Sequence, residues 1–187
     1  MNKIQDNQLF PYEDKYPELH ETVFLSSGVK IIGDVKIGKN SSVWYNSVIR
    51  GDVNYVSIGE DTNIQDLSML HVTNGTFPLI IGNKVTIGHS VNLHGCTVKD
   101  LCLIGIGSII LDGAVVESRS IVAAGAVVTP EYTVASGKLV GGIPAKVIRD
   151  LTQEEMDDIG QSSVRYKNYT AKTKESLNSM NSLMDQQ

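Results

Sequence analysis

The chain has 187 residues, 16 Lys and Arg against 21 Asp and Glu, a net charge of −5, and 41% hydrophobic residues. A chain of this size holds one domain with an appendage and buries a real core. The mild negative charge offers no basis for nucleic acid or an anionic membrane as partner, and no apolar run approaches the roughly 18 residues of a spanning helix.

The opening "MNKIQDNQLF" lacks the apolar stretch of a secretory leader. Two cysteines, Cys96 and Cys102, do not make a disulfide framework. Both features lead us to expect a soluble protein of the reducing cytoplasm. Residues 1–24 read as an N-terminal arm.

From residue 25 a period of six takes over. Aliphatic residues fall at Leu25, Ile31, Ile37, Val43 and Ile49, then at Ile58, Ile64 and Leu70, then at Ile81, Ile87 and Leu93. After a step of five the register runs through Val98, Ile104, Ile110, Val116, Val122 and Val128. Helices and strands repeat at 3.6 and 2.0 residues, so a fixed six reports a larger unit. Hexapeptide repeats are the signature of a parallel β-helix. Each hexad is a short strand and a turn, three hexads make a triangular coil, and the aliphatic side chain points into the prism. The expected fold is therefore all-β, a β-helix domain over residues 25–148. Two breaks interrupt the register, between Ile49 and Ile58 and between Leu70 and Ile81. The second, "VTNGTFPLI", reads as a protruding loop, and such insertions often mark the binding face.

After residue 130 the pattern ends in "GGIPAKVIRDL". Residues 149–187 read as a C-terminal helix and tail. Thr152 with Glu155 three residues on makes a capping box. Met156, Ile159, Ser163, Tyr166 and Tyr169 follow as a stripe that packs along the coils.

Counting each interrupted segment as one hexad plus a loop places Arg50, His71 and His94 in one column. Asp66 and His89 share the preceding face, with Gln65 beside them. His71 and His94 then stack about one strand spacing apart, close enough to share one metal ion. His89 lies around the corner, so its contribution is expected from a neighbouring chain. A ring of three heterologous contacts closes, giving a homotrimer with metal sites shared between subunits. Three histidines with an open fourth position fit catalytic zinc; imidazole also suits iron or cobalt.

The segments "RGDVNYVSIGEDTNIQDLSMLHV" (50–72), "IGHSVNLHGCTV" (87–98) and "GIPAKV" (142–147) resemble the γ-class carbonic anhydrase-like family of left-handed β-helix proteins. The resemblance implies a left-handed coil, a trimer, and a metal held by His71, His94 and a neighbour's His89. The implied reaction is reversible hydration of CO2 to bicarbonate by metal-bound hydroxide at the trimer interfaces. It implies that Gln65 hydrogen-bonds the metal-bound water or bicarbonate. Arg50 and Asp52 form a cross-subunit ion pair, whether for chemistry or only to hold the trimer. Asp66 orients a histidine or joins that ion-pair network. Asn63 lines the pocket or shapes a turn, and Tyr166 reaches the site or simply packs.

Two departures stand out. Active family members carry a glutamate where this chain has Val53, and another in a loop that here, over residues 72–80, contains no carboxylate. CO2 hydration must export a proton each turnover, and a missing shuttle limits the rate. Two alternatives therefore stand beside the anhydrase. One is an acyl-CoA-dependent hexapeptide acyltransferase, whose phosphates would fall to Lys138, Lys146 and Arg149. The other is a metal-binding protein with little anhydrase activity. Cys96 and Cys102 read as quiet core thiols or as a redox pair near the site.

Overall fold

The computed structural model describes residues 8–184; the first seven residues of the expected arm and the last three of the tail lie outside that range. Hexads become short parallel strands that stack on one another. One side of the prism is a sheet of seven parallel strands, from Phe24–Leu25 through Ser42–Val43, Asn63–Ile64, Thr86–Ile87, Leu103–Ile104 and Ile121–Val122 to Lys138–Gly141. The other two sides form one 12-stranded sheet. They are joined because Lys30–Ile37 and Val48–Ile58 run unbroken around the corner and pair with each other in parallel. The result is a triangular parallel β-helix of about 7 turns.

The aliphatic residues line its axis in register. Ile49, Leu70, Leu93, Ile110 and Val128 are successive lateral partners on one side. Val43, Ile64, Ile87, Ile104, Val122 and Val140 form a second column, and Ile58, Ile81, Val98, Val116 and Val134 a third. All are buried. Each side chain removed from water contributes roughly 1.5–3 kcal/mol, so the repeat is also the main source of cohesion. Between the columns, buried serines bond the next coil: Ser41, Ser47 and Ser68 donate to the carbonyls of Gly59, Gln65 and Gly88 at 2.7, 2.8 and 3.0 Å. One corner is turned on every coil by a left-handed residue: Asn40, Asp61, Lys84, Leu101 and Arg119 all have φ between 55° and 60°.

The ends depart from the simple repeat. Within the segment read as an arm, Leu9–Phe10 and Glu18–Leu19 pair in parallel with Lys30–Ile37 and extend the sheet. At the far end Lys146–Asp150 folds back antiparallel on Lys138–Gly141 and closes the exposed edge, which would otherwise offer unpaired backbone groups. The insertion after Ile49 is no free loop. It is a bulge inside Val48–Ile58, with register shifting opposite Gly33–Val35.

The helix Gln153–Met184 begins at the capping box: Thr152 N donates to Glu155 Oε2 at 2.9 Å, and Glu155 N donates to Thr152 Oγ1 at 3.2 Å. It runs across the seven-stranded side from later coils back to the first. Thr86 donates to Ser162, Tyr166 packs on Trp44, and Lys174 lies over the Phe24 ring. Ile159 and Ser163 of the expected stripe are buried, whereas Tyr169 is half exposed. Among the described residues no helix is long and apolar enough to cross a membrane.

Candidate metal centre

The expected site residues fall into two groups on neighbouring sides of the prism. The first is built on the strands Met69–His71 and Asn92–His94, which pair so that His71 lies beside His94. Leu70 and Leu93 point into the core, so strand alternation turns the following histidines outward. His71 Nδ1 faces His94 Nε2 at 3.1 Å, with ring centroids 5.0 Å apart. On its far side His71 Nε2–H donates to Asp52 Oδ1 at 3.0 Å. Asp52 in turn takes an ion pair from Arg50 of its own chain. Burial works against the Asp52 carboxylate, yet the hydrogen bonds from His71 and Arg50 and the guanidinium charge outweigh it and hold its pKa below the ordinary value. His94 Nδ1–H donates to Asp112 Oδ1 at 2.6 Å. Thr73 Oγ1 is 3.4 Å from the same nitrogen.

The second group surrounds His89. Asn63–Ile64 and Thr86–Ile87 are paired strands, so Asp66 and His89 occupy equivalent places in the turns that follow. His89 Nδ1–H donates to Asp66 Oδ2 at 2.7 Å. A cavity of about 430 Å³ opens over them, walled by Trp44, Tyr45, Tyr166 and Tyr169. Tyr166 stacks edge-on with Trp44 and Tyr169 at 5.7 and 5.4 Å. Burial, then the charge of Asp66, pushes the Tyr166 phenol up. Beneath lies a buried polar chain. Gln65 donates to Asn63 at 3.3 Å, Asn63 to Thr86 at 2.9 Å, and Thr86 to Ser162 of the helix at 2.8 Å.

One chain does not bring the three histidines together. Among the described residues no three His, Cys, Asp or Glu side chains cluster to hold a cation. The donor set nevertheless fits a metal. Each histidine donates one ring nitrogen to a carboxylate, the arrangement that orients imidazole ligands. That leaves His71 Nδ1 and His94 Nε2 facing each other at 3.1 Å. Two such nitrogens at that distance repel unless a proton or a cation lies between them.

Around this pair the two insertions meet. Asn54 Nδ2 donates to the Thr73 carbonyl at 3.1 Å, and Gly75 N to the Val53 carbonyl at 3.4 Å. Val53 itself is an exposed apolar side chain. Cys96 and Cys102 are free and buried, and burial pushes both thiols up to about 12. His20 lies apart, its Nδ1 on Thr22 Oγ1 at 2.9 Å. Sequence reasoning missed Asp112. Its signal was spacing: it follows His94 by 18 residues, one coil.

Comparison with known proteins places this architecture. Residues 16–51 match the family model "Bacterial transferase hexapeptide (six repeats)". A carbonic anhydrase of Geobacillus kaustophilus is 51% identical over 81% of this chain and 82% of its own length. A protein of Methanocaldococcus jannaschii named as a probable carbonic anhydrase is 47% identical over 79% and 92%. A mitochondrial gamma carbonic anhydrase of Arabidopsis thaliana is 47% identical over 83% of this chain, which spans only 58% of that relative's length. Among solved structures, a Bacillus cereus protein named as a candidate acetyltransferase superposes with TM-score 0.88 at 40% identity, covering 90% of this chain and 98% of its own. With its hexad core, its RGD, NIQD–H and GH–HGC segments, and relatives of this identity and coverage, the chain belongs to the γ-class carbonic anhydrase-like family.

Proposed function

We propose that this protein is a metal-dependent carbonic anhydrase that interconverts CO2 and bicarbonate at interfaces between three copies of the chain. The observation that carries the reading is the pair of ring nitrogens, His71 Nδ1 and His94 Nε2, that face each other at 3.1 Å while the far nitrogen of each ring meets a carboxylate. These two histidines and His89 of a neighbouring copy would hold the ion, zinc in the first instance, with ferrous iron or cobalt compatible with the same donors. A bound divalent ion supplies Lewis acidity that makes hydroxide available near neutral pH.

The remaining residues have roles of their own. Asp52, Asp66 and the Arg50–Asp52 pair orient histidines from behind. Arg50 is satisfied within its own chain, and its side chain stays 42% exposed for a neighbour to meet. Gln65 is buried with its amide anchored on Asn63, which suits it to hydrogen-bond bicarbonate in a fixed orientation. Tyr166, kept protonated by burial beside Asp66, offers a hydroxyl donor at the aromatic wall. The free buried thiols support a reducing compartment, the cytoplasm.

One observation favours a second reading. The structural relatives at 40% and 43% identity are described as a candidate acetyltransferase and as a hexapeptide transferase family protein. Against an acyl-CoA site, two of the three basic residues that would meet its phosphates are already engaged: Lys138 pairs with Asp150, and Arg149 with Glu155.

The test is stopped-flow CO2 hydration by protein purified without air and loaded with zinc or ferrous iron, beside His94→Ala. Metal-dependent turnover absent from the variant is the expected result. Co-refolding His89→Ala with His94→Ala should restore part of the activity, since each variant supplies what the other lacks. A fully metal-loaded protein with no turnover overturns the reading and directs the search to acyl-CoA.

A further inference from the structure

The three histidines have a matching set of carboxylates, and one of them comes from outside every motif. Asp52 and Asp66 belong to the RGD and NIQD segments. Asp112 belongs to the turn after Ile109–Ile110, one coil beyond His94. Its Oδ1 accepts from His94 Nδ1–H at 2.6 Å, shorter than the 3.0 Å of His71 to Asp52 and the 2.7 Å of His89 to Asp66.

The fold keeps room for this contact. Gly95, directly after His94, has φ +51°, and a Cβ there would lie 2.5 Å from Asp112 Oδ1 and 2.7 Å from Phe77 Cβ. Any side chain at 95 would push the carboxylate off the imidazole. The loop after Leu70 closes over the same place. Thr73 bridges to Phe77, and the Phe77 ring lies against Gly113, where a Cβ would come within 2.9 Å of it. Asp112 is thus hemmed between the missing side chain at Gly95 and the Phe77 roof, with its side chain 34% exposed.

We propose that Asp112 is a positioning residue of the metal centre: it fixes His94 as the Nδ1–H tautomer and aims its Nε2 at His71. A carboxylate on the outer nitrogen both selects the tautomer and raises the basicity of the coordinating one. Without it, the His94 ring is free to flip and to protonate Nε2, which closes the coordinating lone pair. The inference rests on the metal-centre reading above and extends it to a residue that touches neither substrate nor metal.

The experiment compares the full-length protein with Asp112→Asn, Asp112→Ala and, as a control on a surface carboxylate, Glu18→Gln. Zinc affinity is read by competition with a chromogenic chelator, and geometry by the visible absorption of the cobalt-loaded protein. Thermal unfolding of the metal-free forms checks the fold. Asp112→Ala should weaken zinc binding by roughly 10- to 100-fold and change the cobalt spectrum, with the metal-free midpoint unmoved. Asp112→Asn keeps an oxygen acceptor for Nδ1–H and should lose less, which preserves the test if the alanine variant folds poorly. Glu18→Gln should match the unaltered protein. Equal zinc affinity and identical cobalt spectra in all four proteins overturn the role of Asp112 alone. An unaltered protein that binds neither ion overturns the metal centre, and the role of Asp112 with it.

Discussion

His71 Nδ1 and His94 Nε2 stand 3.1 Å apart on adjacent strands, each ring tied from behind to its own aspartate. A cation held by both nitrogens ties two adjacent coils together and binds only the folded chain, so metal should stabilise the fold as well as serve the chemistry. Saturating zinc at 100 times its dissociation constant adds about 2.7 kcal/mol. The unfolding midpoint should rise with zinc concentration and fall on chelation, and His94→Ala should show neither response. A zinc-independent midpoint in the unaltered protein would count against the site.

Val53 and the loop over residues 72–80 bring no carboxylate to the surroundings of this pair. With no carboxylate at either of these places to carry protons outward, turnover should depend on protons leaving through buffer. The maximal rate of CO2 hydration should climb with imidazole buffer concentration at constant pH and ionic strength. Val53→Glu should raise the rate at low buffer and flatten that dependence.

Leu93 is fully buried in the axial column between Leu70 and Ile110. Leu93→Ala should destabilise by about 2–5 kcal/mol, the transfer loss plus the cavity left in a stack that cannot collapse around it. Denaturant melts would show a lower midpoint at unchanged slope.

Glu155 accepts from Arg149 and from the Thr152 backbone, and these contacts hold its carboxyl at about 2, down from an ordinary 4.5. A depressed carboxyl contributes stability that is complete above its unfolded value and is lost as pH falls through its folded one. Glu155→Gln should therefore fray the helix start at neutral pH, and the difference from the unaltered protein should shrink between about pH 4.5 and 2. Hydrogen exchange at the amides of the first helical turn would report it.

Cys96 and Cys102 have thiols pushed up to about 12 by burial. The thiolate is the reactive form, so both should resist alkylation at pH 8 in the native protein and react promptly in denaturant. Rapid labelling of either in the folded state would instead support a redox role.

The period of six was enough to establish the prism and its inward columns, because in a β-helix the side a residue faces is decided within its own hexad. The same local logic stacks His71 over His94 and sets Thr152 and Glu155 as a cap, since each depends only on chain geometry over one coil or one helical turn. What lay beyond the sequence was lateral reach. The pairing of Leu9–Phe10 and Glu18–Leu19 depends on a free sheet edge, and the fold-back of Lys146–Asp150 covers another. Neither follows the repeat. The absorption of the first insertion as a bulge depends on two long strands rounding the corner together. Asp112 reaches His94, and Tyr166 reaches Trp44, because coils and helix bring side chains from 18 residues away or from a different element into contact. Periodicity reports direction; only the packed structure decides which side chains, once pointed outward, are long enough and near enough to meet.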